Sequence, residues 1–298
     1  MSRPGGSTLG RALAIAFAAA GLALLSAGCM CRLSVPASVC VQQDAEGPLP
    51  GGVPHLCLVS SVMPRSPAAL ILYATGDGGW AGTSKALFRH LAESGYPVVG
   101  ISAPDYLKDV GRGKDFITPD QLARDLTSII DTAKRELKLP AATPTILVGM
   151  SSGAGFMVVA AAQHALQPRP AGAIALSLTR ETDYVRHRFT WRRRSASRAA
   201  STMADGRVLT YARLKSAFDI PIAVIQSTHD RYLPAAEARA LFGPDTGTRR
   251  FLEVEARSHG FGGAREAVFR QLDNALGWIE SIMPQGGAPA AAPASPRP

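Results

Sequence analysis

Aromatic and charged residues are both sparse in this chain of 298 residues, at 6% and 18% of the composition. Hydrophobic residues nevertheless make up 46%, which excludes a disordered chain and a collagen-like chain. With four cysteines in this length, the chain is also not a small scaffold held together by disulfides. After the first thirty residues no stretch reaches about 18 consecutive apolar residues, so the sequence predicts no further membrane span.

The N-terminus has the pattern of an export signal. Arg3 and Arg11 form a basic region, an apolar run follows over residues 12–25, and small residues then precede Cys29. This pattern is typical of a bacterial lipoprotein signal, so we predict a signal peptide over residues 1–28 and a lipid on Cys29. The mature protein is then expected in the periplasm, anchored to the membrane. A simple cleaved signal and an uncleaved N-terminal anchor are the alternatives.

All of the cysteines lie within residues 29–64, which we predict to be an N-terminal strand and hairpin segment. Cys40 and Cys57 fall in two extended-looking stretches of it, and the oxidising periplasm favours their pairing as a staple. Unpaired, buried thiols are the alternative. The cysteine spacing is irregular and no histidine cluster accompanies it, so we predict no metal site, and the sequence indicates no cofactor.

Positive charge is concentrated in one part of the chain. The net charge is +9, and residues 180–215 carry ten Arg or Lys side chains against three acidic ones. In an exported protein, this basic insertion is expected to contact anionic lipid headgroups rather than nucleic acid, through Arg192, Arg193 and Arg194. A solvated insertion is the alternative. The Gly/Ala/Pro-rich tail, residues 285–298, cannot pack a core and is predicted to be disordered.

Between these segments, short apolar runs alternate with helical patterns. Most of the runs are apolar at consecutive positions, as expected for parallel strands that are covered on both faces. The predicted strands are 68–74, 97–103, 145–149, 173–178, 221–226 and 251–254. The predicted helices are 83–94, 119–137, 152–166, 234–242 and 262–282. This order predicts one α/β domain over residues 65–284, with a mostly parallel sheet and helices on both faces.

The motif Gly149-Met150-Ser151-Ser152-Gly153 follows a predicted strand and precedes a predicted helix. In that setting a G-x-S-x-G pattern is typical of a nucleophile elbow, a sharp turn that presents a serine hydroxyl above the sheet. The glycines let the strand and the helix approach closely, and the turn holds the serine in a strained conformation. Ser151 is therefore the predicted nucleophile.

A nucleophilic serine needs a base, and the base needs an acid that orients it. In proteins with a nucleophile elbow the acid and then the histidine follow the serine along the chain. Asp230 and His259 each follow a late predicted strand, so we predict them as the acid and the base. Asp205 and Asp183 are the alternative acids. The remaining histidines lie in helices, the N-terminal segment, the basic insertion or, for His229, beside the predicted acid.

A glycine-rich loop from Gly76 to Trp80 follows the first strand of the predicted domain. In enzymes with a nucleophile elbow, one backbone N–H from this loop and the N–H after the nucleophile stabilise the oxyanion of the tetrahedral intermediate. We predict that Asp77 and Ser152 supply these two donors. The alternative is a glycine turn without a catalytic role.

Four segments of the sequence together resemble one bacterial family. They are the loop Gly76-Asp77-Gly78-Gly79-Trp80, the run Pro104 to Lys108, the helix start Thr118 to Leu122 and the elbow at Ser151. In these segments, within about residues 66–160, the chain is similar to the VirJ/AcvB family of bacterial virulence proteins. The resemblance implies a periplasmic protein with an α/β-hydrolase fold, and a family that includes hydrolases of the aminoacyl ester in lysyl-phosphatidylglycerol.

We therefore expect an exported serine ester hydrolase that acts on an aminoacylated phospholipid at an anionic membrane surface. Asp77 and Trp80, with the three arginines of the basic insertion, are the predicted substrate- and lipid-binding residues. Asp77 or Asp105 would meet the cationic amino group of the substrate, and the basic insertion its phosphate. A general periplasmic esterase or lipase, and a non-catalytic binding or chaperone-like protein on the same scaffold, are the alternatives. The sequence does not indicate an oligomeric state.

Overall fold

The structure, a computed structural model, describes residues 40–42, 56–59, 69–110, 117–183, 207–217 and 219–283. Its strands are β1 (Cys40–Gln42), β2 (Leu56–Val59), β3 (Leu70–Ala74), β4 (Val98–Ile101), β5 (Thr145–Met150), β6 (Gly172–Leu176), β7 (Glu181–Asp183), β8 (Arg207–Leu209), β9 (Ile222–Ser227) and β10 (Arg249–Val254). Its helices are α1 (Gly82–Glu93), α2 (Ala103–Val110), α3 (Pro119–Glu136), α4 (Ser152–Ala161), α5 (Thr210–Ser216), α6 (Ala235–Phe242) and α7 (Arg265–Ile282).

The main sheet has the strand order β1-β2-β4-β3-β5-β6-β9-β10. All neighbouring pairs from β4 to β10 are parallel, whereas β1 and β2 pair antiparallel with each other, and β2 pairs antiparallel with β4. The short strands β7 and β8 form a separate antiparallel pair. The predicted mostly parallel α/β sheet is therefore confirmed.

Both faces of the sheet are covered, as strand β3 illustrates. Leu70, Leu72 and Ala74 are buried in the cluster that packs under α2, α3, α4, α5 and α6. Ile71 and Tyr73 point to the other face and are buried in the cluster that packs under α1 and α7. Because successive side chains of a strand alternate between faces, a strand buried on both sides must be apolar at every position. This explains the continuous apolar runs and confirms helices on both faces.

Local signals account for where several helices begin and end. The hydroxyl of Thr118 accepts a hydrogen bond from the Gln121 N–H at 3.1 Å, and α3 begins directly afterwards at Pro119, as predicted. In contrast, α7 begins at Arg265 and not at 262, because Gly263 adopts a left-handed φ of 77° that a helix cannot contain. Helix α4 is also shorter than predicted, ending at Ala161. The short elements α2, α5, β7 and β8 were not predicted from the sequence.

Several predictions lie outside the described residues: the signal peptide, Cys29, the core of the basic insertion with Arg192, Arg193 and Arg194, and the C-terminal tail. In the described part of the chain, no helix has the length and apolar character needed to cross a bilayer. The carboxyl ends of the parallel strands meet at one edge of the sheet, where the loops that follow β3, β5, β6, β9 and β10 lie next to one another.

Candidate active site

Ser151 lies in the turn between β5 and α4, at the carboxyl edge of the sheet. Its backbone adopts φ 55° and ψ −120°, a conformation that is unfavourable for a residue with a Cβ atom. The Ser151 N–H donates to the carbonyl of Leu176, the last residue of β6, at 2.8 Å. The turn therefore has the strained geometry of a nucleophile elbow, supported by the neighbouring strand.

The two glycines of the motif are needed because backbone atoms lie directly against them. A Cβ atom on Gly149 would overlap the backbone of Gly153, and a Cβ atom on Gly153 would overlap the carbonyl oxygens of Ala74 and Thr75. Neither contact can be relieved by rotating a side chain, since the opposing atoms belong to the main chain. The G-x-S-x-G spacing is thus explained by the close approach of α4 to β5 and to the end of β3.

Three side chains predicted from distant parts of the sequence meet at this turn. His259 Nε2 lies 2.8 Å from Ser151 Oγ, and His259 Nδ1 lies 2.6 Å from Asp230 Oδ2. Because the carboxylate can only accept, Nδ1 carries the proton and Nε2 is left to accept the proton of the serine hydroxyl. The Asp230 side chain is fully buried and that of His259 is 15% exposed. This is the order of donors and acceptors in which a histidine acts as a general base on a serine.

The carboxylate of Asp230 is held by three further donors on its own turn and strand. Its Oδ1 accepts from the N–H groups of Tyr232 at 2.8 Å and Leu233 at 3.4 Å. Its Oδ2 accepts from Gln226 Nε2 at 2.9 Å as well as from His259, while Gln226 Nε2 also donates to the carbonyl of Leu233. The role of Gln226 was missed from the sequence. A polar residue near the end of an otherwise apolar strand was the one signal for it.

The glycine-rich loop after β3 lies directly over the nucleophile. A Cβ atom on Gly76 would come within 3.0 Å of Ser151 Cβ. The Gly76 N–H donates to the buried Ser84 hydroxyl at 3.3 Å, and its carbonyl accepts from the Gly79 N–H at 2.9 Å. These bonds hold the loop in a tight turn beside Ser151, where a backbone N–H can face a reacting carbonyl group.

A cavity of about 760 Å³ opens over the nucleophile. Both residues predicted to stabilise the oxyanion, Asp77 and Ser152, line it together with Ser151 and His259. Ser152 is the first residue of α4, so its N–H has no acceptor within the helix and is available to a ligand in the cavity. The other lining residues are Gly76, Gly78, Gly79, Ala81, Thr83, Ser84, Met150, Thr179, Arg180, Glu181, Thr182, Tyr232 and Gly260.

Other predicted site residues lie elsewhere. Trp80 does not line this cavity: its ring packs against Phe88 at 5.0 Å and Tyr73 at 6.2 Å, in the space that Gly100 leaves open. The packing of its partly buried indole against these rings, and not contact with this cavity, accounts for the position of Trp80. Asp105 lies in the first turn of α2 and is also not among the residues lining the cavity.

The alternative acids and the cysteines are placed only through the backbone. Asp183 ends β7, and Asp205 lies outside the described residues. In the antiparallel pair β1–β2, Cys40 is paired with Val59 and Cys57 with Gln42, so the backbones of the two cysteines lie two positions apart in register. Their pairing as a disulfide stays a prediction.

Two buried phenols flank the candidate site and stay neutral. Burial, and secondarily the negative charge of Asp230, raises the pKa of Tyr211 well above its usual range. Burial likewise raises the pKa of Tyr73. Asp230 therefore meets no second negative charge from these side chains. Within the part of the chain that the structure describes, no group of three or more His, Cys, Asp or Glu residues could hold a metal ion.

Solved structures share this fold. The chain is similar to the esterase Est1E from Butyrivibrio proteoclasticus, with 16% identity, a TM-score of 0.50 and coverage of 81% of this chain and 99% of that chain. It is similar to a dienelactone hydrolase from Anabaena variabilis, with 16% identity, a TM-score of 0.50 and coverage of 82% and 97%. At this level of identity the likeness concerns the α/β-hydrolase fold alone.

No curated protein matches the sequence. A family model described as bacterial virulence protein (VirJ) matches residues 68–215, which include the glycine-rich loop and the elbow at Ser151. Over this region the chain matches the VirJ family of bacterial virulence proteins, as the sequence resemblance predicted, and its fold is that of the α/β-hydrolases.

Proposed function

We propose that the protein is an exported serine ester hydrolase that acts on an aminoacylated phospholipid of the lysyl-phosphatidylglycerol class. The observation that carries the catalytic part is the continuous hydrogen-bond chain from Ser151 through His259 to Asp230, with distances of 2.8 and 2.6 Å. A binding protein on the same scaffold does not require this arrangement, in which a strained serine, a histidine that accepts from it and a hydrogen-bonded carboxylate are joined in sequence.

In the proposed reaction, Ser151 Oγ attacks the ester carbonyl carbon while its proton passes to His259 Nε2. The electron pair of the carbonyl bond moves to oxygen, and the N–H groups of Asp77 and Ser152 stabilise the resulting oxyanion. The tetrahedral intermediate then collapses, the alcohol leaves with the proton from His259, and an acyl-enzyme remains. A water molecule activated by His259 attacks this acyl-enzyme in the same way, releasing the carboxylic acid and restoring Ser151.

The lining of the cavity supports a small polar acyl group over a fatty acyl chain. Among the described residues around it, Met150 and Tyr232 are the large side chains with apolar surface, and glycines and hydroxyl residues make up most of the rest. Asp77 brings a carboxylate to the same cavity, which suits the ammonium group of an aminoacyl ester. A lipase that holds a long acyl chain needs an extended apolar groove instead.

Export and the lipid part of the substrate rest on the sequence. The lipoprotein-like signal ahead of Cys29 supports a location at the periplasmic face of a membrane, where phospholipid esters are accessible. The basic insertion supports recognition of the anionic phosphate.

The catalytic part is tested with a fluorophosphonate, which reacts with serine hydrolases when the serine oxygen displaces fluoride from phosphorus. We expect labelling of Ser151 in the wild-type protein and none in Ser151→Ala or His259→Ala. His229→Ala is the matched control, since His229 is exposed and lies beside Asp230 without contacting Ser151. Labelling that survives in Ser151→Ala would contradict the proposed nucleophile.

The substrate part is tested with vesicles that contain lysyl-phosphatidylglycerol, following the release of free lysine by mass spectrometry. We expect release that depends on Ser151, and slow hydrolysis of long-chain acyl nitrophenyl esters by the same preparation. Efficient hydrolysis of the long-chain esters without release of lysine would instead indicate a general lipase.

A further inference from the structure

A buried serine outside the proposed triad contacts the backbone of the base. Ser177 directly follows β6, has no exposed surface, and its hydroxyl donates to the carbonyl oxygen of His259 at 2.6 Å. The two residues are 82 positions apart in the sequence. Ser177 is not among the residues lining the cavity, so any effect on the reaction passes through His259.

Ser177 has an unfavourable backbone conformation for a residue with a side chain. Its φ is 51°, in the left-handed region where a glycine is comfortable and a residue with a Cβ is strained. If only the direction of the chain mattered at this turn, a glycine would be more favourable than a serine. A serine is explained if its hydroxyl is needed, because in this conformation the side chain reaches the loop that carries His259.

The same turn is bonded to the strands that carry the other two members of the proposed triad. The carbonyl of Leu176 accepts from the Ser151 N–H at 2.8 Å, and the Ser177 N–H donates to the carbonyl of Ile225 in β9 at 2.8 Å. Gln226, which holds Asp230, is the next residue of β9. Two consecutive residues therefore contact all three parts of the proposed triad. Leu176 bonds to the nucleophile, and Ser177 bonds to the base and to the strand that leads to the acid.

The loop around His259 contains no helix or strand, and turn hydrogen bonds hold it internally: the Phe261 N–H donates to the Ser258 carbonyl at 2.9 Å, and the Arg257 N–H to the Gly262 carbonyl at 3.0 Å. Apart from the bond from Ser177, the Gly260 carbonyl accepts from the Thr83 hydroxyl at 2.6 Å, and Phe261 has a left-handed φ of 57°. The ring of Tyr232 packs edge-on against the imidazole at 4.7 Å. These internal bonds shape the loop, whereas the bond from Ser177 fixes the backbone of His259 itself relative to β6. A base that moves by about 1 Å loses much of its rate advantage.

From these contacts we infer that Ser177 is a positioning residue for the proposed catalytic base: its hydrogen bond to the His259 carbonyl sets the distance between Nε2 and Ser151 Oγ. This inference rests on the proposed function, because positioning has meaning only if His259 acts on Ser151. It adds a residue that neither the sequence motifs nor the triad include.

The test is Ser177→Gly, which removes the hydroxyl and leaves a residue that tolerates the observed φ. We expect the variant to fold, and both kcat for a small soluble ester and the rate of fluorophosphonate labelling to fall by about 10- to 100-fold. KM should stay unchanged, because Ser177 does not touch the cavity. The downfield NMR resonance of the His259 Nδ1 proton should broaden, since a loosened loop weakens the bond to Asp230.

The matched control is Ser227→Ala. Ser227 is equally buried at the end of β9, and its hydroxyl donates to the Ala256 carbonyl at 3.3 Å, three residues before the base. This variant should keep the wild-type kcat, labelling rate and NMR resonance. An equal loss of kcat in the control would show that any buried hydroxyl near this loop matters, and would overturn a specific role for Ser177.

Two failures are distinguishable. If wild-type protein is labelled at Ser151 and Ser177→Gly is labelled at the same rate, the positioning role is wrong while the proposed hydrolase stands. If the wild-type protein is not labelled at all, the proposed function fails and the inference about Ser177 fails with it.

Discussion

Among single residues, Asp230 determines which ring nitrogen of His259 carries the proton. Its Oδ1 faces two backbone N–H groups, and its Oδ2 faces His259 and Gln226 Nε2. Every surrounding group on the Asp230 turn is a donor, so an ionised carboxylate fits and His259 must present its Nδ1 proton. The nitrogen that faces Ser151 is then free to accept.

We therefore expect Asp230→Asn to fold and to lower kcat for a soluble ester by about 10³- to 10⁴-fold. The backbone N–H groups fix the amide oxygen at the Oδ1 position, so the amide nitrogen would face His259 and donate to Nδ1. The imidazole then carries its proton on Nε2 and cannot accept one from Ser151.

Asp219→Asn is the matched control, because Asp219 is an exposed partner of Arg169. It should keep wild-type activity. An Asp230→Asn enzyme with near-normal kcat would move the acid to Asp205 or Asp183.

At the scale of elements, the turn from β5 to α4 depends on close contact between main chains. Gly153 lies against the carbonyl oxygens of Ala74 and Thr75, at the point where the glycine-rich loop leaves β3. The nucleophile and this loop are therefore positioned by the same contact, and there is no room in it for a methyl group.

Gly153→Ala is expected to lower the free energy of unfolding by about 3 kcal/mol, because the added Cβ must push backbone atoms apart. Gly277→Ala is the matched control: Gly277 lies within α7, where an added Cβ meets nothing within 4 Å, and the change should stabilise the protein by about 0.5 kcal/mol. Urea unfolding of both variants measures the difference. If Gly153→Ala unfolds at the wild-type midpoint, α4 does not depend on this contact.

A second feature at this scale is the pair β7–β8, which lies within the basic insertion, on either side of its arginine run in the sequence. Arg180, Glu181 and Thr182, at the start of this pair, line the cavity over Ser151. The arginine run itself lies outside the described residues, and the role proposed for it rests on its charge.

Replacing Arg192, Arg193 and Arg194 by Gln should weaken binding to vesicles that contain anionic lipid and slow hydrolysis of a lipid ester in them. Each basic residue near such a surface contributes about 1 kcal/mol. Hydrolysis of a small soluble ester should remain near the wild-type rate. Replacing the same three residues by Lys is the control, because charge is retained. An equal loss on both substrates would assign the segment to the fold or the triad, and no loss on either would favour a solvated insertion.

At the scale of the whole molecule, the proposed function needs the domain to be held at a membrane. A single acyl chain binds a protein only weakly to a bilayer, whereas the three chains of a mature bacterial lipoprotein give stable attachment. The sequence pattern before Cys29 predicts this modification.

Mass spectrometry of the protein isolated from membranes should therefore find an N-terminal, lipid-modified Cys29. Cys29→Ser should release the protein from the membrane fraction, while Cys31→Ser, two residues away, should leave it attached. A soluble, unmodified protein that begins near residue 29 would retain export and exclude the lipid anchor.

The alternation of strands and helices and the class of fold were predictable from the sequence alone. So were the three residues that meet at the elbow, although Asp205 and Asp183 remained open as alternative acids. This is possible because burial on both faces requires continuous apolar strands, and because parallel strands bring the loops at their carboxyl ends to one edge. A serine, an acid and a histidine on three such loops must then lie near one another, however far apart they are along the chain.

Which neighbours support these residues depends on how the strands pack. The hydrogen bond from Ser177 to the His259 carbonyl joins residues 82 positions apart, and no local pattern marks Ser177 as a partner. For Gln226 the one local signal was a polar residue near the end of an otherwise apolar strand. Trp80, which was predicted to bind substrate, instead packs its partly buried ring into the space that the missing side chain of Gly100 leaves open. Local patterns record which residues face a core or end a strand, whereas the 2.6 Å distance between Ser177 and His259, 82 positions apart, is set by packing of the whole sheet.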